Sequence, residues 1–173
     1  MKAAPVLRRL GAEDGRAWLA LMLAGVRELP DAFLSTEDEL LALTPDDIHA
    51  RIERSLLHGL FDGDRLVGVA GLNPGGPRAV RHRAEVGPFH ILPEWRGRGL
   101  ADRLMEAVVS EARARGIAWL DLWVAAGNGR ALAFYARHGF QRTGFRADAV
   151  RVDGVPCDDV LMARSLEAVA WGV

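Results

Sequence analysis

Between residues 93 and 101 the chain reads Pro93-Glu94-Trp95-Arg96-Gly97-Arg98-Gly99-Leu100-Ala101. This glycine-rich turn ends one apolar run and opens another of a different period. Ahead of it, Ala84 to Leu92 has the character of a buried strand. Behind it, Leu100, Leu104, Met105, Val108 and Ala112 recur at helical spacing, while Asp102, Arg103, Glu106, Ser110, Glu111 and Arg113 take the other face. A helix is therefore predicted from Gly99 to Arg115. No Ser, Thr, Asp or Asn stands at the usual capping place, so its first backbone N–H groups need another acceptor. Gly97 and Gly99 carry no side chain to block an approaching anion, and Arg96 and Arg98 add positive charge to the helix dipole. A pyrophosphate suits such a place. The pattern is neither Gly-x-Gly-x-x-Gly nor a Walker loop, so a dinucleotide or ATP site gains little support.

With 173 residues, half of them apolar and about a quarter charged, the chain can bury the core of one domain, expected over residues 1–173. A net charge of -1 supplies no general attraction to nucleic acid or to an anionic membrane. Lone Cys157 makes no internal disulfide, and the five histidines show no metal-ligand spacing, so no metal is expected. The apolar run after Met1-Lys2 is short and broken for a signal peptide, and no window approaches ~18 uninterrupted apolar residues. A soluble cytoplasmic protein is expected.

Val6 to Leu10 is read as a first strand, and Glu13 to Leu29 as a helix with Trp18, Leu19, Met22, Leu23 and Val26 at helical spacing, ended by Pro30. Phe33 to Glu39 is read as irregular. Thr44-Pro45-Asp46-Asp47 starts a capped helix expected to run to His58. Asp62-Gly63-Asp64 turns a hairpin between Leu60-Phe61 and Leu66 to Leu72. Ile117 to Val124 follows the long helix, so strand-helix-strand predicts a parallel pair. Arg130 to His138 is a shorter helix stopped by Gly139. Phe140 to Phe145 and Asp148 to Arg164 are expected as closing antiparallel strands around Asp153-Gly154. Pro88 has no N–H for a ladder, so its strand must bulge or lie partly unpaired there.

Read as Arg-x-x-Gly-x-Ala after a strand and Pro-Glu-Trp, the turn resembles the acyl-CoA-binding motif of the GNAT family of N-acetyltransferases. Asn128-Gly129-Arg130-Ala131-Leu132-Ala133-Phe134-Tyr135-Ala136-Arg137-His138-Gly139-Phe140 resembles that family's second segment, and the order of elements resembles its fold over nearly the whole chain. The resemblance implies an α/β (α+β) fold: a mixed, mostly antiparallel sheet with a central, splayed parallel strand pair, flanked by about four helices. It implies acetyl-CoA as acyl donor, held by Arg96, Gly97, Arg98, Gly99, Leu100 and Ala101 at the phosphates. Phe89, His90 and Ile91 would pair with the pantetheine arm, and Asn128 would contact it. Tyr135 would protonate the departing thiolate, although by spacing alone it is an aromatic on the core face of a short helix.

An ammonium acceptor must lose a proton before it attacks. Glu85, near the start of the splayed strand, is the first candidate base, and His90 the second. Relatives that acetylate protein N-termini often carry a glutamate five residues before the motif asparagine; that position is Trp123 here, read as a core residue. Arg78, Arg81, His82 and Arg83 form a basic loop. Phe33, Glu37, Asp38, Glu39, Asp158 and Asp159 are candidates for an acceptor pocket.

The resulting expectation is an N-acetyltransferase that moves acetyl from acetyl-CoA to a primary amine, of a small molecule rather than a protein, by direct attack in a ternary complex. A protein or peptide acceptor, a non-catalytic acyl-CoA sensor and a nucleotide-phosphate module are the rivals. A homodimer is compatible with the resemblance.

Overall fold

The computed structural model describes residues 4–167; Met1 and Lys2, invoked in the signal-peptide reading, lie outside them. Among the described residues there are seven strands in the hydrogen-bonded order β1-β2-β3-β4-β5-β7-β6 and five α-helices. Strands β4 and β5 are parallel. The β1–β2, β2–β3, β5–β7 and β6–β7 ladders are antiparallel. The expected mixed, mostly antiparallel sheet with one parallel pair is thus observed.

The described residues divide into two compact units, residues 4–73 with 86–111 and residues 74–85 with 112–167. In the first, β1 (Val6–Arg9) pairs with β2 (His58–Asp62), and β2 with β3 (Arg65–Pro74) through the turn at Gly63, whose φ is +61°. Helix α1 (Gly15–Glu28) buries Trp18, Leu21, Met22, Gly25 and Val26. A five-residue helix, α2 (Glu37–Leu41), occupies what the sequence was expected to leave irregular. Its signal was present: the Thr36 hydroxyl accepts from the Glu39 N–H while the Glu39 carboxylate accepts from the Thr36 N–H, a capping box that fixes both ends of the first turn. Helix α3 (Pro45–Arg54) is capped by Thr44 in the same way but stops short of His58. Leu56 takes a positive φ of 41° and His58 already belongs to β2.

Strand β4 (Arg83–Ile91) leads to helix α4 (Leu100–Ala114). On α4, Leu100, Leu104, Met105 and Val108 are buried, the stripe read from the sequence. Next to Pro88, the Asn73 side-chain amide donates to the Gly87 carbonyl at 2.6 Å. A Cβ on Gly71 would lie 2.4 Å from that same carbonyl oxygen, so β3 must carry glycine there.

Asp14 pins the first unit locally. Its buried carboxylate accepts two hydrogen bonds from the Arg8 guanidinium at 2.7 Å and one from the Gly11 N–H at 2.9 Å. These bonds, Arg8 first, hold its pKa below the ordinary carboxylate range. A depressed carboxylate pKa contributes stability that is present above the unfolded value, near 4, and is lost as pH falls through the folded one. Asp14→Asn is expected to lose about 1–3 kcal/mol at pH 7. Denaturant titrations should show the gap closing as pH falls through the depressed folded-state pKa of Asp14, where the wild-type carboxyl is protonated too.

In the second unit the parallel ladder covers Arg83↔Trp119, Ala84↔Leu120 and Glu85↔Asp121, with β5 spanning Trp119–Ala125. Strand β7 (Val155–Ser165) pairs with β5 and with β6 (Gln141–Val152). The sequence was expected to break β6 after Phe145. Instead the strand runs through with register shifts, and Asp148, at φ 50°, donates its N–H to the Asp158 carboxylate across the irregularity. Helix α5 (Gly129–Arg137) ends before Gly139 at φ +81°.

Candidate functional site

The turn between β4 and α4 is held from one side by Trp95, which is 3% exposed, and by Arg96. Gly97 and Gly99 both take φ of +72°. A Cβ on either would meet no atom within 4 Å, so the space beside both is open. The first N–H groups of α4 have no acceptor within the helix and follow directly on this open turn. The observed turn therefore has the room and the donors for a phosphate group. Arg98 lies with its guanidinium carbon 4.9 Å from the Trp95 ring centroid and donates to the Glu94 carbonyl.

Arg96 is placed differently from the expected phosphate ligand. Its Nε donates to the Ile91 carbonyl at 2.8 Å, and its two terminal nitrogens donate to the two Glu28 oxygens at 2.5 and 2.6 Å. All three guanidinium nitrogens thus serve protein acceptors. Glu28 was not singled out in the sequence, because 68 residues separate it from Arg96.

Phe89, His90 and Ile91 follow one another on β4. His90 is 4% exposed, its ring edge-on to Phe33 with centroids 5.7 Å apart and its Nε2 4.0 Å from a Glu28 oxygen. Phe33, expected near an acceptor, thus belongs to the surroundings of a β4 residue. Among the other acceptor candidates, Glu37 pairs with Arg27, Glu39 completes the α2 cap, Asp158 accepts from Asp148, and Asp159 is 7% exposed. Glu37, Glu39 and Asp158 thus have structural employment.

In the second unit, Glu85, Asp121 and Trp123 sit at alternating positions on one sheet face. Arg83 forks onto Asp121, with Nε donating at 2.7 Å, and also lies over the Trp119 ring, so it is no mere member of a solvated basic loop. Trp123 is half-buried, with the Arg146 guanidinium 4.1 Å from its ring centroid. This corrects its reading as a core tryptophan: the alternation that buries Leu122 and Val124 turns Trp123 to the opposite face. Glu85 is exposed by area, yet partial desolvation of its carboxylate raises its pKa, Asp121 raises it further, and Arg146 opposes.

Asn128 caps α5, its Oδ1 accepting from the Ala131 N–H at 3.0 Å, so the amide NH2 is what it can offer a ligand. Tyr135 is 9% exposed between Phe134 and Phe140, at ring distances of 5.2 and 5.6 Å, and burial pushes its phenol far above the ordinary value. Among the described residues no group of three His, Cys, Asp or Glu is gathered to hold a metal.

Strand order and element order together define a class, an α/β protein with a mixed seven-stranded sheet in which an open, glycine-containing turn joins a strand of the parallel pair to a long helix. The Acetyltransferase (GNAT) family profile matches residues 23–140, and the chain belongs to that family. It is 38% identical over 96 residues to the N-alpha-acetyltransferase RimI of Mycobacterium tuberculosis, which covers 56% of this chain and 58% of that protein. It is 36% identical over 61 residues to an uncharacterized N-acetyltransferase of Methanocaldococcus jannaschii, 35% of this chain and 27% of that one. The match thus spans less than two thirds of these curated relatives. Among solved structures, a GNAT-family acetyltransferase from Streptococcus pneumoniae superposes with a TM-score of 0.81 at 21% identity, covering 94% of this chain and 99% of the other. YncA from Salmonella typhimurium, solved with its cofactor acetyl-CoA, gives 0.82 at 18% identity, covering 97% of each chain. At these identities the likeness shows the fold.

Proposed function

We propose that the chain is a single-domain N-acetyltransferase that transfers acetyl from acetyl-CoA to a primary amine by direct attack in a ternary complex. The open turn with Gly97 and Gly99 in left-handed geometry carries this reading, since it supplies backbone donors for a pyrophosphate. Family membership supports acetyl as the group moved. Gly97, Arg98, Gly99, Leu100 and Ala101 bind the phosphates, while Phe89, His90 and Ile91 with Asn128 take the pantetheine arm. In the reaction the amine nitrogen bonds to the thioester carbon, the resulting oxyanion collapses, the carbon–sulfur bond breaks, and the thiolate leaves as CoA after protonation. Tyr135 gives that proton. The amine's own proton goes to Glu85, with His90 the second candidate.

Glu85 carries a prediction. A carboxylate base works only when ionised, so with a raised pKa the rate climbs with pH through that value and then levels. Glu85→Gln is expected to lower kcat/KM for the acceptor by about 100-fold and to abolish that limb of the pH profile. An unchanged limb would assign it to another group.

A small-molecule acceptor is favoured over a protein one, because Trp123 stands where N-terminal acetylating relatives often hold a glutamate. The similarity to RimI favours the second reading, a peptide N-terminus. Release of free thiol from acetyl-CoA, measured with amino acids, polyamines, aminoglycosides and short peptides, separates them. Turnover with small amines alone supports the first, and turnover confined to peptides overturns it. Among the described residues no helix is long and apolar enough to cross a membrane; a cytoplasmic location and a homodimer complete the proposal.

A further inference from the structure

The Arg96 fork ties together three pieces of chain. Glu28 is the last residue of α1, Ile91 the last of β4, and Arg96 the last residue before the first of the two left-handed glycines. Gly97 and Gly99 have no side chain by which they could be held, and glycine loses more conformational freedom on ordering than any other residue. A turn that must present its N–H groups at one point therefore needs its approach fixed from outside. The bidentate Glu28–Arg96 pair, with the third bond to Ile91, supplies a planar and directional clamp of that kind. The pair is partly buried, its side chains 29% and 21% exposed, so it is less screened than a surface ion pair.

We propose that Glu28 is a positioning residue for acetyl-CoA binding: through Arg96 it sets the phosphate turn in its binding geometry before the ligand arrives. The inference rests on the acyl-CoA reading of that turn. It assigns Arg96 to holding the turn rather than to touching the phosphate. Positive charge facing the anion then comes from the helix end and Arg98. Two opposite outcomes distinguish this from a simple charge effect. If Arg96 served as a phosphate ligand restrained by Glu28, removing the Glu28 charge would release it and tighten CoA binding. If Glu28 positions the turn, the same change weakens binding.

The experiment is a calorimetric titration of CoA into wild type, Glu28→Gln, Arg96→Lys and the double variant, alongside thermal melting and the kinetics with acetyl-CoA. Glu28→Gln is expected to weaken CoA about tenfold, the loss of a charged hydrogen-bonded pair. Arg96→Lys, which keeps the charge but loses the fork, should match it, and the double variant should be no weaker than either, because the pair acts as one unit. KM for acetyl-CoA should rise with kcat unchanged, a split that general loosening of the fold would not give. Equal or tighter CoA binding by Glu28→Gln, or additive losses in the double variant, overturns the proposal. Should Glu28→Gln fail to fold, Arg96→Lys decides alone: unchanged CoA affinity overturns the clamp. Absence of CoA binding by the wild-type chain instead sinks the acyl-CoA reading, and this inference with it.

Discussion

Tyr135→Phe is expected to lower turnover at saturating acetyl-CoA and acceptor by at least about 100-fold, the lower end of what a positioned proton donor contributes. KM for acetyl-CoA should stay within about twofold, because the ring contacts remain and only the hydroxyl is lost. The aromatic ring lies buried between Phe134 and Phe140, contacts that phenylalanine keeps, and a melting curve of the variant reads separately what loss of the hydroxyl does to the fold. Burial keeps the phenol protonated throughout the neutral range. Tyr135 consequently has a proton to give but contributes no limb to the pH profile near neutrality. Stopped kinetics at saturating substrates, repeated from pH 6 to 9, check both parts. Full turnover in the variant would remove Tyr135 from the chemistry.

Gly99→Val is the second large effect, and it is expected on binding. At φ +72° a residue with a side chain costs about 1–2 kcal/mol in backbone strain, and its Cβ would enter space that is now open. Strain and a filled phosphate space together should weaken CoA by about 30-fold or more. Gly116→Val separates the two causes. Gly116 has φ +69° and equally open surroundings, but it follows the C-terminal end of α4. That variant should lose stability of similar size and keep CoA affinity. If both variants bind CoA like wild type, the turn is only a turn.

Local signals carried most of the fold because they report on local physics. The stripe Leu100, Leu104, Met105 and Val108 needs one buried face, and helical spacing is the only way to present it. Gly139 after α5 and Gly63 in the β2–β3 turn announce left-handed backbone. What failed was either compact or cooperative. Helix α2 is five residues long and rests on the Thr36–Glu39 capping box, too short for periodicity to register. Strand β6 holds together across Asp148 because β7 supplies Asp158 as a partner, information that no window around Asp148 contains. Burial of Trp123 depended on which sheet face it shares with Asp121, which requires the parity of β5 and not its composition.

The candidate site divides along the same line. Gly97, Gly99, Asn128 and Tyr135 were legible because backbone conformation, helix capping and an aromatic at a fixed spacing are local demands. Arg96 was legible as a residue but not in its employment, since charge alone suggests a phosphate and only the fold brings Glu28 to it. Glu37, Glu39 and Asp158 looked like ligands for a cationic amine and serve Arg27, Thr36 and Asp148 instead. Carboxylates in a folded chain find local donors first, and sequence does not reveal which have done so.

The most direct test of the central claim is a calorimetric titration of acetyl-CoA into the wild-type chain, repeated in the presence of excess ATP or NAD. One saturable site per chain, undisturbed by either nucleotide, is the predicted result. No binding, or displacement of acetyl-CoA by ATP or NAD, would contradict an acyl-CoA site at the Gly97–Gly99 turn.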